Sequence, residues 1–347
     1  MHLLVSIPAL NEEQTVSHVI DLVPQKIDGV TRTTILVVDD GSTDNTAAVA
    51  VEAGACVVSH ACNCGVGAAF QTAVREAVRR GADILVTIDG DGQFDAADIP
   101  QLVAPILHGS VGLCTASRFA DAALIPQMPG IKIWGNHRVA SIVSALAGEQ
   151  FHDVSCGFRA YSRDAILRIT PLESFTYTHE VLLDLAAKRV AIREIPLAVR
   201  GTREFGESRV ASNVWRYAVR TLSIMARFYR DHYPLKLCST LASVPLVAAC
   251  VLLAISGWQW WQTEVWLKSF AFAGASLIGV SLALMFFGFL AGVTNRLRRN
   301  QEEILYWLRL SATREAATTG GDTTAETPIV PFPAPARSQD RANRASA

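Results

Sequence analysis

Two apolar stretches near the C-terminus, residues 235–257 and 270–293, constrain this chain more than any other feature. Each is longer than the about 20 helical residues needed to cross a hydrocarbon core, and neither holds an acidic residue. The reading is a two-helix transmembrane hairpin over residues 235–293; a pair of helices buried in a soluble core is the alternative. Trp258, Trp260, Trp261 and Trp266 are expected in the short connection, as aromatic anchors at a membrane interface. Arg227, Arg230 and Lys236 flank the start of the first stretch and Arg296, Arg298 and Arg299 follow the second, while the connection has only Lys268. The positive-inside rule then puts both ends, and the whole N-terminal part, on the cytoplasmic side.

Residues 1–233 read differently. Short apolar runs alternate with helical patterns: strands over 2–7, 34–38, 55–59 and 84–88, and helices over 12–23, after a cap within Ser42-Thr43-Asp44, and over 67–80. This order predicts an α/β fold with a mostly parallel sheet covered by helices. Strand ends at Pro8, Asp39, Asn63 and Asp89 should converge on one edge, where such sheets bind ligands. The opening run is too short for a signal peptide and reads as the first strand. Seven cysteines form no CxxC pair and no zinc-like spacing, so free thiols are expected. A net charge of −1 argues against a general nucleic-acid binder.

Asp89-Gly90-Asp91 closes the apolar run 84–88. Paired carboxylates at a buried strand end offer hard oxygen ligands for Mg²⁺ or Mn²⁺ and a phosphorylated substrate; Asp-Gly is equally a turn dipeptide. Asp39 and Asp40 could hold a nucleoside, or form a turn and helix cap. Asn63, Gly65 and Gly67 lead into a helix whose N–H groups could face an anion, or serve as a plain connector. Glu180 opens a helical stretch, either beside an acceptor pocket or stabilised by the helix dipole, and His179 reads as structural. Trp134-Gly135-Asn136, near Pro126, Pro129 and Gly130, is expected in a mobile loop.

Ile7-Pro8-Ala9-Leu10-Asn11-Glu12-Glu13, Val37-Val38-Asp39-Asp40-Gly41-Ser42, Asn63-Cys64-Gly65-Val66-Gly67 and Asp89-Gly90-Asp91-Gly92-Gln93 occur in this order. Together they resemble glycosyltransferase family 2. Ser117-Arg118-Phe119, Asp153-Val154-Ser155-Cys156-Gly157-Phe158-Arg159 and Gly206-Glu207-Ser208-Arg209 are similar to its polyprenyl-phosphate branch, the dolichol-phosphate mannose synthase type. The resemblance covers roughly residues 1–310 and implies a GT-A type nucleotide-sugar-binding domain. It also implies inverting transfer of a hexose from a UDP- or GDP-sugar to undecaprenyl or dolichyl phosphate, with Mg²⁺ or Mn²⁺ as cofactor. By it, Pro8, Leu10, Glu12, Val38 and Asp40 would line the nucleoside pocket, and Asp89, Asp91 and Gln93 would hold metal and diphosphate. Arg118, Arg203 and Arg209 would bind phosphates, with Arg159 a further cation, and Asp153 would be the general base or orient the acceptor. Arg209 stands where the motif often has Lys, and its planar fork changes the contact geometry.

Arg216, Arg220, Arg227 and Arg230 fall along one side of a helical segment with Trp215, Leu222, Met225 and Tyr229 as apolar partners. This reads as an interfacial helix on anionic headgroups, or as a surface helix packed on the catalytic domain. The layout expected is a catalytic domain over 1–210, an interfacial helix over 211–234, the hairpin over 235–293, a basic helix over 294–310 and a disordered tail over 311–347. The partners expected are the nucleotide sugar, the polyprenyl phosphate and the lipid bilayer; self-association into a homo-oligomer stays open. A transferase acting on another membrane lipid and a non-catalytic membrane scaffold are the competing readings, and a processive synthase lacks its Gln-Xaa-Xaa-Arg-Trp motif here.

Overall fold

A computed structural model describes residues 1–126, 128, 130–170, 177–199 and 214–318. Side chains at 132, 214–218, 220, 312 and 314–318 lie outside that description. Seven strands form, most of them from apolar runs with residues alternately facing two sides: β1 (His2–Ala9), β2 (Arg32–Asp39), β3 (Cys56–Ser59), β4 (Ile84–Thr87), β5 (Leu113–Ser117), β6 (Arg159–Ser162) and β7 (Ile192–Pro196). They make one sheet in the order β3-β2-β1-β4-β6-β5-β7. β6 runs antiparallel to β4 and β5, and every other pairing is parallel.

The helices of this part are α1 (Val16–Asp21), α2 (Thr46–Glu52), α3 (Val66–Arg79), α4 (Ile99–Leu107), α5 (Gly130–Ala147), α6 (Arg163–Arg168) and α7 (Thr178–Ala187). Leu3, Val5 and Ile7 of β1 pack into one core with Val16 and Ile20 of α1 and Leu102 of α4. Leu4 and Val38 face the other way, onto Phe70, Ala73, Val74 and Ala77 of α3. That helical spacing of apolar residues is why α3 lies flat on the sheet. Each fully buried aliphatic side chain here contributes about 1.5–3 kcal/mol.

Several boundaries differ from the sequence pattern. The first helix begins at Val16 because residues 12–15 form a turn, Glu12 O accepting from Thr15 N at 3.1 Å and Val16 N at 2.9 Å. The second begins at Thr46 after Asn45, while Asp44 Oδ1 takes the Thr46 N–H at 3.1 Å. Trp134 and Asn136 sit inside α5 rather than in a loop.

The remaining helices are α8 (Val214–His232), α9 (Pro234–Thr263) and α10 (Lys268–Thr318). Residues 1–218, with the end of α10 from Leu305, make one unit, and Val219–Ile304 makes the other. Within the first, Arg309 Nη1 donates to the carbonyls of Leu167 (3.2 Å) and Ile169 (2.6 Å), capping the end of α6. In the second, α9 and α10 each carry a stretch long and apolar enough to cross a membrane. They pack through small residues seven apart: Ala242, Ala249 and Ser256 of α9 are buried, and Ser281 Oγ donates to Ala242 O at 3.0 Å. Gly274 and Gly288 leave room for Leu253 and Cys238, which a Cβ would meet at 2.8 and 2.6 Å. Small residues at such a seam let helices approach closely without a hydrophobic driving force.

Two expectations change here. Trp258, Trp260 and Trp261 lie in the last turns of α9, leaving Trp266 in the connection, because the helix continues to Thr263. α10 runs unbroken past residue 293 through the basic segment, and residues 311–318 are still helical. On α8, Leu222 is exposed, whereas Ile224 and Met225 are buried; the side chains of Trp215, Arg216 and Arg220, and residues 319–347, lie outside the described residues.

Candidate active site

Parallel strands carry their C-terminal ends to one edge. The register Ala9↔Asp39, Asp39↔Ser59 and Ser6↔Thr87 aligns the ends of β1, β2, β3 and β4 there. Antiparallel β6 adds its start to the same edge, since Arg159 pairs with Thr87 and with Thr115. The segment 153–158, which leads into β6, therefore meets the Asp89-Gly90-Asp91 turn.

Asp91 is buried, and its Oδ1 accepts the Gln93 N–H at 3.1 Å. Asp89 is half-buried. A Cβ on Gly157 would lie 3.2 Å from both Asp89 oxygens and 3.3 Å from the Tyr177 hydroxyl. Glycine at this place leaves a cradle beside the carboxylate. Thr87 Oγ1 donates to Gly157 O at 2.7 Å, fixing that peptide. Thr15 Oγ1 donates to Gly90 O at 2.8 Å and ties the turn to the loop after β1. Two adjacent carboxylates with a half-buried amide from Gln93 are a hard-oxygen donor set, which fits Mg²⁺ or Mn²⁺.

The loops after β1 and β2 clamp each other. Asn11 N–H donates to Ser42 Oγ at 2.9 Å, Asn11 Oδ1 accepts from Thr43 N at 2.8 Å, and Glu12 N–H donates to Thr46 Oγ1 at 2.8 Å. Pro8, Leu10 and Glu12 are half-buried along this edge. Val38 is not: its side chain is fully buried under α3, so a ligand could reach only its backbone. Asp39 Oδ1 accepts the Ser42 N–H at 2.9 Å, a turn closure. Asp40 turns inward to the next loop, where its oxygens accept Cys64 N (3.0 Å) and Gly65 N (2.8 Å). The anion facing the start of α3 is thus the protein's own carboxylate. Gly41, at φ +76, passes so close to Cys62 and Asn63 that a Cβ would meet backbone at 2.7 Å.

Arg118 and Asp153 face each other. Arg118 Nε donates to Asp153 Oδ2 at 2.6 Å and Nη2 to Oδ1 at 2.9 Å, with a further bond to Ser155 Oγ at 2.6 Å. Asp153 is fully buried while the Arg118 side chain is 20% exposed. Burial alone would raise the Asp153 pKa; the Arg118 guanidinium and backbone N–H groups outweigh it and hold the carboxyl below its ordinary range. Glu194 of β7 anchors this segment by accepting His152 N at 2.9 Å and Asp153 N at 2.8 Å.

Arg159 is fully buried and donates to Thr115 Oγ1, Thr178 O and Val154 O. It supports the fold beneath the site and is not an exposed phosphate contact. Burial and the Arg159 charge push the His179 pKa down to about 4, leaving a neutral structural imidazole. Glu180, in the first turn of α7, is pushed up to about 7 by burial and by Asp184. Arg203 and Arg209 lie outside the described residues. Sequence reasoning gave no role to Glu194, Tyr177 or Gly157; a lone carboxylate between Ile192 and Ile195 was the one local signal for the first.

Residues 4–170 match the family described as Glycosyl transferase family 2. The UDP-N-acetylglucosamine–dolichyl-phosphate N-acetylglucosaminyltransferase of Methanococcus voltae is 29% identical, over 55% of this chain and 82% of that protein. The polyprenol monophosphomannose synthase of Mycolicibacterium smegmatis is 27% identical, over 62% of this chain and 83% of that protein. Among solved structures, glucosyl-3-phosphoglycerate synthase of Mycobacterium tuberculosis with Mn²⁺, uridine diphosphate and phosphoglyceric acid superposes with a TM-score of 0.52. It is 25% identical and covers 65% of this chain and 78% of that one.

Proposed function

From the premise that residues 4–170 are a glycosyl transferase family 2 domain and the chain is a glycosyltransferase, we propose that it moves a hexose from a UDP- or GDP-sugar to a polyprenyl phosphate at a membrane surface. The observation that carries this reading is the meeting of the Asp89–Asp91 turn and the Arg118–Asp153 pair at one sheet edge. Similar proteins named for polyprenyl-phosphate acceptors support it, as do the two apolar helices.

In this reading Asp91 and Asp89, with Gln93, hold Mg²⁺ or Mn²⁺ and the donor diphosphate. The cation, when bound, offsets the charge that gathers on the leaving diphosphate and orients it. Pro8, Leu10, Glu12, the backbone of Val38, and Asp40 line the nucleoside pocket; one lone pair of Asp40 Oδ2 remains for a ligand donor. Arg118 meets a phosphate, with Asp153 and Ser155 fixing its fork. Arg203 and Arg209 supply further cations. The acceptor phosphate, with a second ionisation near pH ~6, arrives mostly deprotonated and attacks the anomeric carbon from the face opposite the diphosphate, giving inversion. α8 lies on anionic headgroups, α9 and α10 cross the bilayer, and the arginines flanking them keep the catalytic domain cytoplasmic.

The test incubates membranes carrying the protein with a panel of nucleotide sugars, polyprenyl phosphate and Mg²⁺ or Mn²⁺, and analyses the lipid product. A polyprenyl-phosphate sugar that disappears in Asp91→Ala supports the reading. Product on diacylglycerol alone, or wild-type turnover and metal dependence in Asp91→Ala, would overturn it.

A further inference from the structure

Beside the nucleotide edge, three side chains of metal-ligating chemistry converge from different loops. Asp40 follows β2, His60 follows β3, and Cys64 stands just before α3; one ligand atom from each lies within 4.8 Å of the others. Asp40 and His60 are almost fully buried, with 7% and 1% of their side chains exposed. Cys62, which is exposed, stands beside this set, its Sγ lying 4.0 Å from Cys64 Sγ. The sequence hides this set because its residues come from two strand ends.

We propose that Asp40, His60 and Cys64, joined by Cys62, bind a thiophilic divalent cation of the Zn²⁺ or Cd²⁺ class. Sulfur and imidazole select such ions over Mg²⁺, whose oxygen site lies at the end of β4. The separation of the two sulfurs suits tetrahedral ligation. Zinc–sulfur bonds of ~2.3 Å put two thiolates about 3.8 Å apart, close to the Cys62–Cys64 separation. His60 Nδ1 and Asp40 Oδ1, at 2.7 Å, must open to about 3.3 Å for bonds of ~2.0 Å each. The cation takes the place of the Nδ1 proton, which moves to Nε2 as the neutral ring changes tautomer, and the thiol protons leave to buffer.

The surrounding bonds fit the same role. His60 Nε2 lies 2.9 Å from Thr72 Oγ1. A ligating histidine usually directs its second nitrogen to such a partner, which fixes ring and tautomer. The hydroxyl can donate to Nε2 before capture and accept from it afterwards. Asp40 is oriented by the Cys64 and Gly65 N–H groups, so the loop that carries the thiol also holds the carboxylate. A pair of exposed thiols alone would have none of this support.

The experiment titrates the full-length, chelator-treated protein in detergent with Cd²⁺, in excess Mg²⁺, following the thiolate-to-metal ultraviolet band. One Cd²⁺ per chain is expected, unaffected by Mg²⁺. Cys64→Ser should weaken binding by more than about tenfold, and Thr72→Val by about tenfold, the scale of lost outer-shell support. Asp40→Asn should weaken it as well; Thr72→Val, close in shape, carries the test if Asp40→Asn fails to fold. No band, an unchanged affinity in Cys64→Ser, or wild-type affinity in Thr72→Val would each overturn the proposal, the last reducing it to a surface thiol pair. None of these readouts depends on sugar transfer, so they stand apart from the fate of the proposed activity.

Discussion

Replacing Gly157 by alanine tests the acidic cradle with a single methyl group. The new Cβ would lie 3.2 Å from both Asp89 oxygens and 3.3 Å from the Tyr177 hydroxyl, so these neighbours must give by a few tenths of an ångström. Tyr177 has little room to move. It is 2% exposed, stacked on Phe70 at 4.2 Å, and its hydroxyl donates to Gly157 O at 3.3 Å. The strain therefore falls on Asp89. Overpacking of this size costs about 1–3 kcal/mol of stability. A displaced carboxylate costs more in binding, because Mg²⁺ tolerates little departure from octahedral bonds of ~2.0–2.1 Å. By the scale of disturbed metal shells, affinity should fall about 10–100-fold, or about 1.4–2.8 kcal/mol. Calorimetric titration of UDP- and GDP-sugars at graded Mn²⁺ reads this directly. The expected result is a weaker apparent Mn²⁺ affinity with metal-free donor binding unchanged. A folded Gly157→Ala protein with wild-type Mn²⁺ affinity would refute the placement of the metal beside Asp89.

Arg118→Met strands a fully buried Asp153 carboxylate and should cost about 3–5 kcal/mol in chemical unfolding. Arg118→Lys keeps the charge but not the fork, so it should cost less stability while still lowering transfer by about tenfold or more; equal stability losses in the two variants would contradict this. His179 is held at about 4 against an ordinary 6.5, so its contribution is present above pH 6.5 and is lost as pH falls toward 4. The loss is about 3 kcal/mol, and His179→Asn should flatten the acid limb of a stability profile over that window. Glu180, raised from 4.5 to about 7, acts with the opposite sign: stability is greatest below pH 4.5 and declines as pH rises through 7. Glu180→Gln should gain about 1–2 kcal/mol at pH 8 after solvent screening, seen as a higher Tm, and no gain would argue against the raised value. In the hairpin, Gly288→Leu drives a side chain into Cys238, which even a Cβ meets at 2.6 Å. About 1–3 kcal/mol should be lost in detergent unfolding, and wild-type behaviour would contradict the packed seam.

The parallel half of the sheet was legible because each of its strands is a local apolar run closed by turn residues. β6 was not: Arg159-Ala160-Tyr161-Ser162 is short, begins on a charge, and takes its direction from partners far away in sequence. The same distance explains the site. Asp89 and Asp91 announce themselves at a strand end, whereas the Arg118–Asp153 pair spans 35 residues and the Glu194 anchor 41. Val38 illustrates the reverse case, its side chain turned away from the ligand edge. Strand periodicity puts it with Leu36, facing α3, and the resemblance alone had brought it to the ligand. The small-residue seam of α9 and α10 was present at a spacing of seven, but overall hydrophobicity masks such a pattern within an apolar stretch.

The bonds around Asp153 bear on which acceptor the site can serve. A hydroxyl acceptor needs a base with a free lone pair and a pKa near the working pH. Asp153 Oδ2 receives Arg118 N and Nε, and Oδ1 receives Arg118 Nη2, Ser155 N and Ser155 Oγ. These donors occupy the carboxylate's lone-pair directions and hold its pKa down. A base so engaged must break the Arg118 pair before it can take a proton, exposing a buried charge at a cost of several kcal/mol. A phosphate acceptor has no such need, since it brings its own negative charge and needs a cation to receive it. In the proposed reading Arg118 is that cation, and Asp153 holds its fork while lowering the local positive charge. The arrangement thus favours an acceptor that arrives ionised over a diacylglycerol hydroxyl. Asp153→Asn should accordingly impair phosphate-acceptor transfer through a loosened Arg118, with no change in the pH at which half-maximal rate is reached. A shift of that midpoint would restore Asp153 as a proton acceptor.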